Sequence, residues 1–211
     1  FNSLDFAVWY PSEKKETRAL LGIPPDAPVA MYHGATLIRY KGLDVLLDAW
    51  ERICNDRPGR DLRLIIIGTG ADANKFSQLL AAKRLRGVTW LNEWVHDQGI
   101  IQRHLSAADV FVFPSRGDAC PVAVLEAMAC GLPVVASRVN GIPDLLPQGD
   151  RSGGVLVQPE DVEALTREVG QMLDDRTLAH ELGRLAHQHA QTCGPLAVAG
   201  KRLSGFMLVD R

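Results

Sequence analysis

The chain has 211 residues, 46% of them hydrophobic and 23% charged, the balance of an ordinary globular protein with ample material for a core. A net charge of −2 with scattered bases excludes nucleic acid as a partner, and the densest basic group (Lys83, Arg84, Arg86) reads as a solvated helix end. The four cysteines, Cys54, Cys120, Cys130 and Cys193, show no metal-ligand spacing, so no metal is expected and a reduced, cytoplasmic setting fits best.

In chain order, residues 1–12 read as a linker or leading strand. Because the chain opens on Phe1 and not Met, a fragment lacking an upstream part is expected. Short apolar runs follow at Val29–Tyr32, Leu62–Ile67, Val88–Leu91, Val110–Phe113, Pro133–Ala136 and Val155–Val157. Most lack polar alternation, and continuous runs of that kind read as strands buried on both faces. Helical patterns fall between and after them, at 42–55, 73–84, 97–107, 122–129, 160–173 and 176–191. Leu43, Leu46, Leu47, Trp50 and Ile53 mark one helix face, and Asp97 and Pro159-Glu160-Asp161 supply start signals. Strands alternating with helices predict an α/β fold, a doubly wound Rossmann-like parallel sheet of about six strands. The expected domain spans 13–193, and 194–211 form a tail after Cys193-Gly194-Pro195. The long apolar stretch Ala119–Ser137 is not a membrane span, since Pro121, Glu126, Gly131 and Pro133 interrupt it. No signal peptide is apparent.

In such a sheet ligands bind beyond the carboxyl ends of the strands, where the strand order reverses. Three loops there carry suggestive residues. The first, Pro114–Pro121, leads into the helix 122–129. In the stretch from Asp118 to Ser137, Asp118 and Glu126 are the charged residues. An unpaired buried carboxylate is costly, so Glu126 has either a partner within the protein or a ligand. A diphosphate on the helix N-terminus would place an attached ribose near Glu126, about 7 Å along the axis. The second loop, Gly34–Gly42, offers Arg39 and Lys41 to a leaving phosphate, or is a solvated turn. The third, Gly68-Thr69-Gly70-Ala71-Asp72-Ala73, is either a dinucleotide-binding turn or a tight turn that needs two glycines. His33 ends a strand and points toward the crevice. His180, His187 and His189 read as surface residues of a polar helix. No nucleophile triad is apparent.

The stretch Asp118–Ser137, which ends Glu126-Ala-Met-Ala-Cys-Gly-Leu-Pro-Val-Val-Ala-Ser137, closely resembles the Glu-x7-Glu segment of retaining glycosyltransferases of the GT-B fold, family 4. Ala107–Ser115, Lys41–Leu47, Gly68–Gly70 and Gly141–Leu145 resemble other parts of the same family. The likeness covers roughly residues 5–190 and points to the C-terminal, donor-binding half of that fold. It implies a nucleotide-sugar donor, most simply a UDP-sugar, with no cofactor and no metal. Glu126 would bind the ribose hydroxyls and Asp118 the sugar. Ala119, Cys120, Pro121 and Val122 would meet sugar and phosphate through the backbone. Lys41 would hold the diphosphate, while Gly68, Trp94 and Val95 would lie near the nucleotide. An acceptor glycan or lipid-linked sugar would be held by the missing N-terminal domain. Membrane contact would be peripheral at most, on the inner face.

The sequence departs from that pattern in three ways. Asp118 stands where the family has Glu. Thr36 stands where it has a phosphate-binding Arg, a role for which Arg39 is the candidate substitute. Ala119 and Pro121 replace glycines. Two competing expectations are a nucleotide-sugar binding module without turnover and, from Gly68–Ala73, a nicotinamide-dependent enzyme.

Overall fold

The computed structural model describes residues 4–118 and 122–193. Its centre is one six-stranded sheet made of β1 (Val29–His33), β2 (Arg63–Ile67), β3 (Val88–Leu91), β4 (Val110–Phe113), β5 (Val134–Ser137) and β6 (Gly154–Val157). The order is β3-β2-β1-β4-β5-β6 and every pairing is parallel. This is the expected doubly wound Rossmann-like α/β sheet. The order reverses between β1 and β4, which are joined in register at Ala30 and Val110. Both strands are buried at every position, as their unbroken apolar runs require.

The helices are α1 (Lys14–Leu20), α2 (Ile38–Lys41), α3 (Leu43–Asp56), α4 (Ala73–Lys83), α5 (Gln98–Ala107), α6 (Val122–Ala129), α7 (Ile142–Leu145), α8 (Val162–Asp174) and α9 (Arg176–Thr192). Across the sheet faces, α3 packs on α8, α6 on α9 and α1 on α5. Leu43, Leu46, Leu47, Trp50 and Ile53 form the buried stripe of α3. The Asp97 carboxylate accepts from Gly99 N at 2.8 Å, and Asp161 accepts from Ala164 N at 2.8 Å, so both acids cap helix starts. α8 therefore begins at Val162 and not at Glu160, whose φ of +65° lies outside helical space.

Two surface assignments change. Lys83 bonds Glu51 at 2.7 Å and lies 2.9 Å from Asp48, and Arg86 donates to the Cys54 carbonyl. These bases clamp α4 to α3 and are not merely solvated. His187 is half-buried, its Nδ1 2.7 Å from the Ala129 carbonyl, so it joins α9 to α6, while His180 stays exposed. Cys54 and Cys130 are buried free thiols, and Cys193 is a partly buried one. Among the described residues no helix is long and apolar enough to cross a membrane.

Candidate functional site

The carboxyl ends of β1 and β4 lie side by side, and the loops that leave them meet. After β1, Thr36 turns inward. It is fully buried, its Oγ1 donates to the Gly68 carbonyl at 3.0 Å, and its N–H donates to the Thr69 carbonyl at 3.0 Å. The position where the family resemblance called for an arginine is thus a rivet between the loops after β1 and β2. The glycines of Gly68-Thr69-Gly70 serve the same joint. A Cβ on Gly68 would lie 2.0 Å from the Gly34 carbonyl oxygen, and one on Gly70 2.7 Å from that of Thr36. Close backbone packing therefore accounts for both glycines, which removes the motive for a nicotinamide-binding turn. Asp72 completes the joint by accepting from Ile38 N at 2.9 Å, at the start of α2.

The next joint links α2 and α3 to the loop after β4. Gly42 has φ +66°, and a Cβ there would stand 1.9 Å from the Pro114 carbonyl oxygen, so the position tolerates only glycine. The Tyr40 carbonyl accepts from Arg116 N at 2.9 Å and from Ser115 Oγ at 3.1 Å. This stitching brings Lys41 and Asp118 together, and their Nζ and Oδ2 form an ion pair. Both side chains are about 85% buried, with Lys41 also over the Phe113 ring at 5.5 Å. Tyr32 packs beneath them. Burial, and secondarily the charge of Asp118, raises its phenol far above the usual range, and its hydroxyl donates to the Ala35 carbonyl at 3.1 Å.

Glu126 sits on α6, beside the end of β1. Its Oε2 is 3.1 Å from His33 Nε2, close enough for an ion pair, though the buried Nε2 lacks the alignment of a hydrogen bond. His33 in turn packs on Phe111. The carboxylate stays partly accessible, with 14% of its side chain exposed. Burial, and then the nearby Glu126 charge, raises the Cys130 thiol well above its ordinary range, so Cys130 is a packing group.

The structure thus brings Lys41, Asp118 and Glu126 to the reversal point. Gly68 lies at the adjoining loop. Val95 packs partly against the core, whereas Trp94 is 63% exposed and Val122 45% exposed. Arg39 is not brought in. Its side chain is 80% exposed, and its nearest acid is Asp44 at 3.9 Å, a carboxylate already held bidentately by Arg116. Ala119, Cys120 and Pro121 lie outside the described residues. Sequence reading missed Arg116 and His33's approach to Glu126. The position of His33 at a strand end was a usable signal for the latter.

A family model for glycosyl transferases group 1 matches residues 27–175. The chain belongs to that family. A D-inositol 3-phosphate glycosyltransferase from Streptomyces griseus is 32% identical over 191 residues, covering 87% of this chain and 40% of the relative. A GDP-mannose-dependent monoacylated alpha-(1-6)-phosphatidylinositol monomannoside mannosyltransferase from Corynebacterium glutamicum is 28% identical, with 93% and 51% covered. The chain therefore spans about half the length of these relatives.

Among solved structures, sucrose-phosphate synthase from Thermosynechococcus elongatus superposes with a TM-score of 0.80 at 27% identity, covering 95% of this chain and 49% of that one. The C-terminal domain of a group 1 family glycosyl transferase from Francisella tularensis gives 0.76 at 19% identity, covering 90% and 97%. The Anabaena protein HepE, in complex with UDP and glucose, gives 0.78 at 21% identity, covering 97% and 54%. The fold is that of one half of a GT-B glycosyltransferase.

Proposed function

We propose that this group 1 chain is the donor-binding half of a retaining glycosyltransferase that takes sugar from a nucleotide-sugar. The observation that carries the reading is the convergence of Lys41, Asp118 and Glu126 at the β1/β4 reversal point, where α/β sheets bind ligands. An accessible carboxylate on α6 is a good acceptor for two neighbouring ribose hydroxyls. A diphosphate between the α6 N-terminus and Lys41 would meet a helix dipole and a cation, both of which favour the charge that develops as the nucleotide leaves. Asp118, fixed by Lys41, would then face the sugar as a positioning group and not as a glycosidase-type acid or base. Gly68, Trp94 and Val95, on the loops after β2 and β3, would flank the base. The backbone of 119–122 would serve sugar and phosphate. Arg39 is exposed enough to swing toward a bound diphosphate.

The presence of UDP in one structural neighbour and the dependence of one relative on GDP-mannose leave the base to be read by experiment. A thermal-shift panel of UDP-glucose, GDP-mannose and ADP-glucose should raise the melting temperature with one of the three. No shift with any would end the donor-site reading. Glycan or lipid-linked acceptor binding would fall to chain beyond this half, as would any peripheral membrane contact. The buried Thr36 favours one alternative, a nucleotide-sugar binding module without turnover, because no arginine can act from that position. Release of free sugar from the bound donor by the longer protein would exclude it.

A further inference from the structure

Arg116 lies between Pro114 and Asp118 and has no part in the donor contacts above, yet it is the most heavily bonded side chain near them. Its Nη1 and Nη2 grip Asp44 at 2.7 and 3.0 Å, in the first turn of α3. Its Nη1 also donates to the Arg39 carbonyl at 2.7 Å, and its Nε donates to Glu160 at 2.5 Å. The side chain is only 18% exposed. Its charge is held firmly, since the bonds to Asp44 and then to Glu160 raise its pKa against the cost of burial.

Three segments distant in sequence thus close on one side chain. They are the α2–α3 junction that carries Lys41, the loop that carries Asp118, and the turn before α8. The third is itself unusual. Glu160 adopts a left-handed φ of +65°, which an L-residue with a Cβ takes at a cost of about 1 kcal/mol or more. From that turn its side chain accepts the bond from Arg116. A planar fork satisfies this geometry and an ammonium does not, because three guanidinium nitrogens hold Asp44 bidentately and Glu160 beside it, whereas a lysine has one nitrogen and no fixed spread of donors.

We propose that Arg116 is a positioning residue that sets the spacing of Lys41 and Asp118 for the sugar-diphosphate end of the donor. The proposal rests on the donor-site reading. It separates the two ends of the ligand, because Glu126 is held by α6 and by none of the three segments that Arg116 joins.

The test compares, by calorimetry on the full chain, the sugar nucleotide selected from UDP-glucose, GDP-mannose and ADP-glucose with the matching nucleoside monophosphate. Arg116→Lys should weaken the sugar nucleotide about tenfold while leaving the monophosphate within about twofold, the scale of losing charge-assisted bonds at one end. Glu160→Gln, on a side chain that is 57% exposed, should move the same ratio by about threefold, and it keeps the test readable if Arg116→Lys does not fold. Parallel weakening of both ligands, or no change in either, overturns the proposal and leaves the donor site standing. A wild-type chain that binds none of the three sugar nucleotides overturns the donor site and the proposal with it.

Discussion

Asp118 and Glu126 are eight positions apart and equally buried, but the protein holds them by different means. Glu126 rides on α6, whose Val124, Leu125, Ala127, Met128 and Ala129 are buried, and its place follows from helix geometry. α9 backs that helix closely enough that a Cβ on Gly183 would stand 2.1 Å from the Gly131 carbonyl oxygen. Asp118 itself lies on a loop, in neither a helix nor a strand. Its position is assembled from the Gly42–Pro114 contact, the Tyr40 carbonyl, Lys41 and the Arg116 fork. A helix transmits position locally, whereas a loop has to borrow it from distant chain. The two carboxylates should therefore fail independently.

The sharpest break is at the loop-borne carboxylate. Gly42→Ala combines an unfavourable φ with a backbone collision, and should cost on the order of 3 kcal/mol. Urea unfolding measures it, and an unchanged midpoint would show that the two loops are not wedged together. In the fraction that folds, nucleoside monophosphate binding should persist. Glu126→Ala is the opposite case. It should leave stability nearly intact and weaken both sugar nucleotide and nucleoside monophosphate about tenfold to a hundredfold, the value of hydrogen bonds to a charged acceptor. Unchanged affinity in calorimetry would remove Glu126 from the ribose.

The smallest effect serves as the control away from both. Arg57 and Arg60 bond Asp174, joining α3 to the end of α8, and the bond from Arg57 is the main cause of a lowered Asp174 pKa. A lowered carboxylate pKa stabilises the fold above the unfolded value of about 4, and that contribution disappears as pH falls through the lowered value. The side chain is 42% exposed, so solvent screening holds the loss in Asp174→Asn to about 0.5 kcal/mol, with donor affinity untouched. The variant should also lose less stability than the parent between pH 5 and pH 3.

The inner strands were legible because β1, β4 and β5 are buried at every position, whereas the edge strand β3 is only partly buried and has Thr89 exposed. Val88–Leu91 and Val110–Phe113 were nevertheless placed to the residue, and α6 likewise, because short apolar segments and a dense helical one leave little choice. α1 was not legible. Its anchoring residues are Thr17 and Arg18, not an apolar stripe. Arg18 is 3% exposed and is satisfied by the carbonyls of Ala107 and Pro25 and the carboxylate of Asp109. Such a bond set has no periodicity to read. At the site, Asp118 and Glu126 stood out as the charged residues of an apolar stretch and Lys41 by its loop after the first strand, and the family resemblance then gave each a role. Thr36's inward turn and Arg39's outward one depended on contacts with Gly68 and Asp44 that no local pattern announces. Arg116 shows the limit most clearly, since its partners Asp44 and Glu160 lie 72 and 44 positions away.

The wedge of Gly42 against Pro114 has a kinetic consequence. Segments 39–44 and 114–118 are interlocked by backbone contacts before any ligand arrives, so the Lys41–Asp118 pair is already in place. A ligand that meets this pair need not order these segments first, and the entropy of ordering them is absent from its binding. Encounter with the pair should follow a single exponential whose rate rises linearly with ligand concentration, and competing sugars should differ mainly in how quickly they leave.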